Sequence, residues 1–306
     1  MEAGRATVTG NVAAGAVRES LTRERGSGFG EVLFKYMLIA CIAIALGTLV
    51  VLLVDILADG LGSISPSFFT DTPSRIIPEN SGIGPAIAGT LWLMAVCAAF
   101  IIPVGVGAAV YLEEYANPER RINRMIEVNV QNLAAVPSIV YGVLGLAFLV
   151  RGPIGMGRIL IAGGLTLALL VLPVVIVAGR EAIRAVPPSI REGSMALGAT
   201  QWQTIWKQVL PAALPGIATG TILALSRAIG ETAPLIVVGA AAFSTFSPSS
   251  PFDSITALPI QIFSWISDPR PEYKVLAAAG IIVLMGILLA MNAVAIYLRN
   301  RYEKKW

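Results

Sequence analysis

"SRAIGETAPL", Ser226 to Leu235, sets an arginine and a glutamate four residues apart inside an apolar run from Ala212 to Phe243. Of the 306 residues 56% are hydrophobic and only 13% charged, about half the charge of a typical soluble domain, so the run belongs in a bilayer. A helix crosses the hydrocarbon core with about 20 mainly apolar residues. Six stretches qualify: roughly 33–57, 86–112, 128–150, 159–179, 213–242 and 275–298. The expected fold is all-α, a polytopic membrane protein of six transmembrane helices, with Arg227 and Glu231 inside the fifth. Each charge at a bilayer centre costs about 2.5–3.5 kcal/mol on insertion scales, so the two need partners. On one helix, residues four apart share a face and can pair with each other.

The basic residues set the orientation. With the N-terminus in the cytoplasm, inner segments hold five in the tail through Lys35, three between Arg120 and Arg124, four between Arg180 and Lys207 and four between Arg299 and Lys305. The outer segments hold Arg75, Arg151, Arg158, Arg270 and Lys274. This asymmetry puts both termini on the cytoplasmic side of the membrane. The apolar stretch after the N-terminal arginines is too long for a signal peptide and has no convincing cleavage site, so the first helix is expected to stay. Residues 1–31 lack apolar periodicity and read as a mobile tail. Segments 58–85 and 243–274, rich in Pro, Ser and Gly, read as outer loops: docking surfaces or simple connectors.

Composition also excludes. Dispersed basic residues and a net charge of +3 give no case for nucleic acid. The chain has no histidine, which removes the commonest general base and metal ligand, and no catalytic site, metal site or cofactor is expected. Cys41 and Cys97 sit in apolar runs, with no support for a disulfide.

Between the fourth and fifth spans lies a polar, regular segment. Ser189 with Glu192 and Thr200 with Gln203 have capping-box spacing. Gly198 supplies a stop between two short helices, Trp202, Ile205, Trp206, Val209 and Leu210 form one apolar stripe, and Pro211 closes the second helix. The hairpin 187–211 either lies on the membrane interface through its tryptophans or forms a knob for a partner's groove, with Glu192, Ala196, Leu197 and Gly198 at its tip. "REGSMALGATQWQTIWKQVLP" resembles the EAA motif of ABC importer permeases, the element that fits the ATPase subunit. The matching positions are Glu192, Gly193, Ser194, Gly198, Val209, Leu210 and Pro211, with Gly193 and Ser194 in place of the usual alanines.

Arg227 and Glu231 are either a neutral pair joining the fifth helix to its neighbours or part of a substrate path. A guanidinium offers a planar fork suited to an oxyanion, with the hydroxyls of Ser226, Thr221 and Thr232 nearby. Gly230 and Pro234 interrupt the helix, as happens where backbone lines a cavity. "SRAIGETAPLIVVGA" and "NLAAVPSIVYGVLGL" (132–146) are similar to the phosphate-transporter permeases of the PstA type over roughly residues 85–300. That resemblance implies a type I ABC importer (MetI-like) fold. Its implied partners are a second permease (PstC-like), an ATPase dimer (PstB-like), an external phosphate-binding protein (PstS-like) and the lipid bilayer. The chain itself has no nucleotide-binding phosphate loop; ATP hydrolysis belongs to the partner.

The expected division is a tail at 1–31, the first helix and outer loop at 32–84, a permease core at 85–300 and a cytoplasmic end at 301–306. The sister permease, a permease for another oxyanion, and more remotely an ion-coupled secondary transporter with Glu231 in a proton relay, are the rival readings. A membrane enzyme or receptor lacks clustered catalytic residues. Asn129, Gln131 and Asn132 are read as interfacial amides, Pro137, Gly142 and Gly145 as packing positions, and Glu113–Glu127 as a solvated connector.

Overall fold

The computed structural model describes residues 29–302, apart from 118 and 242. Most of the expected tail (1–28) and the last four residues of the cytoplasmic end lie outside the described residues. Residues 29–31, counted above in the tail, already belong to helix α1 (Phe29–Gly60), which is one unbroken apolar rod. Leu33, Ile44 and Val51 are among its many exposed apolar side chains. The stretch through Asp55 is a body of its own.

The second unit, from Ile56 onward, begins with a short helix, α2 (Pro66–Thr70), where Ser65 caps the start by accepting from the Phe68 amide. Helix α3 (Gly84–Tyr115) and helix α6 (Leu160–Arg184) are its centre. Leu93, Cys97 and Ile101 of α3 and Leu167, Val171 and Val175 of α6 are buried in one cluster. Lipid tails are as apolar as leucine, so nothing hydrophobic drives helix against helix here; close approach and dispersion do. Small residues make that approach: a Cβ on Gly164 would stand 2.7 Å from Val96, and one on Gly216 would stand 2.6 Å from Ala182. Through Gly216 and Gly220, which meet Ala182 and Ala178, helix α8 (Gln201–Gly230) closes on α6 as well.

Among the described residues five helices are long and apolar enough to span, and the third expected span, 128–150, is a broken one. Helix α4 (Arg121–Ala134) and helix α5 (Ser138–Val150) meet at 109°. Pro137 is the cause, since it lacks an N–H and drives the preceding residue out of helical geometry. The carbonyl of Leu133 freed by the break accepts from the Tyr141 hydroxyl at 2.7 Å. Asn129, expected as an interfacial amide, bonds back to the Met125 carbonyl on α4. The packing reading of Gly142 and Gly145 agrees with the structure. A Cβ on Gly142 would meet Pro234 Cα at 2.7 Å, and one on Gly145 would collide with the Thr166 hydroxyl. Gly142→Val is therefore expected to lower the thermal stability of the purified chain by about 2 kcal/mol, the cost of overpacking a close contact, read as a drop in Tm in detergent.

The fifth expected span is also interrupted. α8 stops at Gly230, residues Glu231 and Thr232 leave the helix, and helix α9 (Ala233–Val238) resumes for six residues before Gly239 closes it at φ +96°. Segment 243–274 is not simply loop. Helix α10 (Leu258–Ile266) lies inside it, with Leu258, Ile260, Ile262 and Trp265 buried, and Phe68 of α2 stacks on Trp265 with ring centroids 6.1 Å apart. Nine residues are too few to register as a span, so its apolar character was masked by the flanking prolines. Helix α11 (Pro271–Tyr302) completes the unit.

Candidate functional site: a charge pair at a helix break and an anchored knob

Arg227 lies in the last turn of α8, where its charge complements the free carbonyls of the helix end. Glu231 is the first residue past that end, at φ −78°, ψ 116°. The pair therefore spans a helix terminus, not the face of a continuous helix. Arg227 Nε donates to Glu231 Oε1 at 3.4 Å, and the two side chains are 45% and 20% exposed. This is a long, single-point contact. It engages one of the five N–H donors of the guanidinium, and the side chain makes no other hydrogen bond among the described residues.

The neighbouring hydroxyls are differently placed. Ser226 Oγ donates to the Ile222 carbonyl at 2.8 Å and lies 2.6 Å from Asn292 Oδ1 of α11. Thr221 Oγ1 donates to the Ile217 carbonyl. Thr232 stands at the start of α9, partly buried, without a capping bond. The structure thus brings Arg227, Glu231 and Thr232 together at the break and ties Ser226 to α11.

The expected hairpin is half right in its grammar. The Thr200–Gln203 box forms, with both reciprocal bonds present. The Ser189–Glu192 box does not: Pro188 takes the first helical position of helix α7 (Pro188–Ala196) and Pro187 the cap, so Ser189 falls inside the first turn. Gly198, at φ +85°, turns the chain back, a backbone region costly for any residue with a Cβ. Pro211 does not close the second arm, which runs on unbroken as α8; at the start of a helix a missing N–H is easily tolerated, and here a widened turn at Ile205–Val209 absorbs it. The apolar stripe divides, with Ile205 and Val209 buried and Trp202 and Trp206 more than half exposed. The two indoles pack on each other at 5.2 Å. Ser194 and Thr204 share a hydrogen bond of 2.9 Å between the arms. At the tip Leu197 is 91% exposed, flanked by exposed Glu192, Gly193, Ala196 and Gly198.

What the sequence reading missed is how the knob is held. Glu113 and Glu114, taken as part of a solvated connector, sit in a widened turn that ends α3 and are only 16% and 10% exposed. Glu114 Oε1 accepts from Arg191 Nε and Nη2 at 3.0 and 2.8 Å. Arg191 also donates to the carbonyls of Val186 and Ile183 at 2.7 and 2.9 Å, satisfying the end of α6. Gln201 donates to the Glu114 carbonyl. Glu113 binds Arg184 and Arg180, and Arg180 also pairs with Glu127 of α4. One network thus joins α3, α4, α6 and both arms of the knob. The signal available in the sequence was two adjacent glutamates at the end of an apolar span, a place where charges need partners.

A bundle of spanning helices with one broken by a charge pair, carrying a rigid helical knob at one end, is the build of a transport permease. Residues 101–304 match the family described as binding-protein-dependent transport system inner membrane component, and the chain belongs to that family. A probable ABC transporter permease, YqgI of Bacillus subtilis, is 32% identical over 87% of this chain and 93% of its own length. The phosphate transport system permease PstA 1 of Mycobacterium tuberculosis is 34% identical over 84% of each chain. A probable PstA of Methanocaldococcus jannaschii is 32% identical over 85% of this chain and 90% of its own length. Among solved structures, a chain of a bacterial alginate ABC transporter superposes with a TM-score of 0.65 over 90% of this chain and 96% of its own, at 17% identity. One of the inward-facing MetNI methionine ABC transporter does so with 0.59 over 72% and 98%, at 18%. The MetI-like permease fold is thereby shown.

Proposed function

We propose that the chain is the permease subunit of an ATP-driven importer of inorganic phosphate and forms half of its translocation path. The observation that carries this reading is the Arg227–Glu231 pair. It lies at a break between two helices, half open on the surface of the single chain, with most of the guanidinium's donors unused. A buried cation fully neutralised by its partner would serve packing; this one is arranged to share its charge with an anion. Glu231 steers the guanidinium and keeps the site from binding a dianion too tightly, since conduction demands weak binding. Thr232 adds a hydroxyl at the break, and Ser226 fixes the α8–α11 contact behind it. The names of the PstA relatives support phosphate as cargo.

In the assembled importer a second permease completes the path, two ATPase subunits take the knobs, and an external phosphate-binding protein delivers the cargo. Glu192, Gly193, Ser194, Ala196, Leu197 and Gly198 form the ATPase-facing surface, with both termini cytoplasmic, the core at 85–300 and the coupling hairpin at 187–211. Glu192→Lys is expected to uncouple the complex: ATP hydrolysis no longer drives phosphate uptake, although the subunits still co-purify. Normal phosphate-stimulated hydrolysis together with normal uptake would contradict the assignment of the knob. The reading as a whole is tested by radiolabelled phosphate uptake into vesicles holding the reconstituted complex, with and without ATP and with sulfate as competitor. Uptake that requires ATP and resists sulfate supports it. Uptake driven by a proton gradient without ATP, or sulfate carried as readily as phosphate, overturns it.

A further inference from the structure

α3 and α6 run from one end of the unit, where α10 and the loops around it cover them, to the end that carries the knob. At the covered end lies a cavity of about 560 Å³ lined by Arg75, Ile236, Phe243, Ser264, Asp268 and Arg270 among others. Its wall includes α9, the short helix that begins directly after Glu231 and Thr232. Six residues of helix advance the chain by about 9 Å, so the cavity is reached from the charge pair along a single element.

The charges in the cavity are unequal. Arg270 is forked onto Asp268, Nε to Oδ1 and Nη2 to Oδ2 at 2.9 Å each, and the guanidinium holds the Asp268 carboxyl down at about 2. That pair is neutral as a unit. Arg75 has no carboxylate within 4.0 Å among the described residues. Its guanidinium carbon rests 4.2 Å from the centre of the Phe243 ring, a contact that orients a cation without cancelling its charge. The backbone beneath is pinned twice: Arg270 Nη1 donates to the Arg75 carbonyl at 3.1 Å, and the Tyr273 hydroxyl donates to the Ser74 carbonyl at 2.8 Å. Ser264 places a hydroxyl in the same wall. A fixed, uncompensated guanidinium against apolar walls attracts an anion more strongly than one in open water. The space is too roomy for a dehydrated fit, so the anion keeps part of its water and leaves readily.

We propose that this cavity is a second anion site, an outer station where the Arg75 guanidinium holds an oxyanion before it passes along α9 to Arg227 and Glu231. The proposal rests on the reading of the chain as an oxyanion permease and adds a site to it. Its test separates charge from structure within one protein. In a Cys41→Ser background, Arg75→Cys is expected to slow phosphate uptake by the reconstituted complex about tenfold, the loss of one charge-assisted contact. Labelling that cysteine with a cationic trimethylammonium-ethyl thiosulfonate restores much of the rate, and labelling it with the anionic sulfonatoethyl reagent lowers it further. Equal effects of the two reagents would make Arg75 a packing residue and overturn the proposal, as would full activity of the unlabelled variant. If the complex carries sulfate in place of phosphate and shows the same dependence on the sign of the charge, the outer station stands and phosphate as cargo falls.

Discussion

Arg227→Gln abolishes phosphate uptake in the expected result, a fall of about 100-fold or more, while the complex still assembles. If Arg227 served only to neutralise Glu231, glutamine could still donate one hydrogen bond to it, and since the existing contact is a single bond of 3.4 Å little would be lost. If the remaining donors meet an oxyanion in transit, their removal leaves the anion in a low-dielectric path without a counter-charge. Truncating one partner of a desolvated charged pair costs about 2–5 kcal/mol, which is the size of effect expected on the rate. Arg227→Lys is expected to recover only part of it, because an ammonium lacks the planar fork. Uptake assayed in vesicles, with co-purification of the partner subunits as the assembly control, reads both. Normal transport by Arg227→Gln would remove the path assignment.

The second large effect is expected at the other end of the molecule. Arg191→Glu places a carboxylate against Glu114, with both groups mostly shielded from solvent, and withdraws two hydrogen bonds from the carbonyls of Ile183 and Val186. Breaking a buried pair typically costs about 3–5 kcal/mol. The knob then loses its fixed position against α3 and α6, and ATP hydrolysis and uptake come apart. The exchange variant, Glu114→Arg with Arg191→Glu, restores the ion pair without the two carbonyl bonds, so partial recovery of coupling is the expected outcome. A double-mutant cycle on the ratio of uptake to hydrolysis isolates the pair from the rest of the network. Additive effects in that cycle would show that Glu114 and Arg191 act on coupling independently and that their pairing does not hold the knob in place.

The sequence revealed most where a rule has a single reading. Long apolar runs have one stable solution in lipid, so five spans were legible, and Thr200–Gln203 with Gly198 after Ala196 and Leu197 placed the bend of the knob to the residue. The signals that misled were those with competing solutions. Ser189 and Glu192 have capping-box spacing, but Pro188 at the first helical position moves the cap upstream. Residues 128–150 are apolar enough to cross, yet Pro137 folds them at 109°. Pro211, read as a stop, sits inside the beginning of a 30-residue helix. The network of Glu113 and Glu114 depends on residues 67 to 87 positions away, a distance over which no local pattern carries information. At the site, the two charges were legible because apolar surroundings make them conspicuous. The break that exposes Arg227 was visible only as Gly230 and Pro234, and the commitment of Ser226 to Asn292 was not visible at all.

That Arg227 faces an aqueous path used by the anion is the point on which the transport reading depends. It is tested most directly by introducing Arg227→Cys with Cys41→Ser and Cys97→Ser and following its modification by a membrane-impermeant charged thiol reagent in the assembled complex with and without bound ATP. Labelling that depends on whether ATP is bound is the expected result. A thiol that stays unlabelled in every nucleotide state, yet reacts fully once the protein is unfolded, would contradict it.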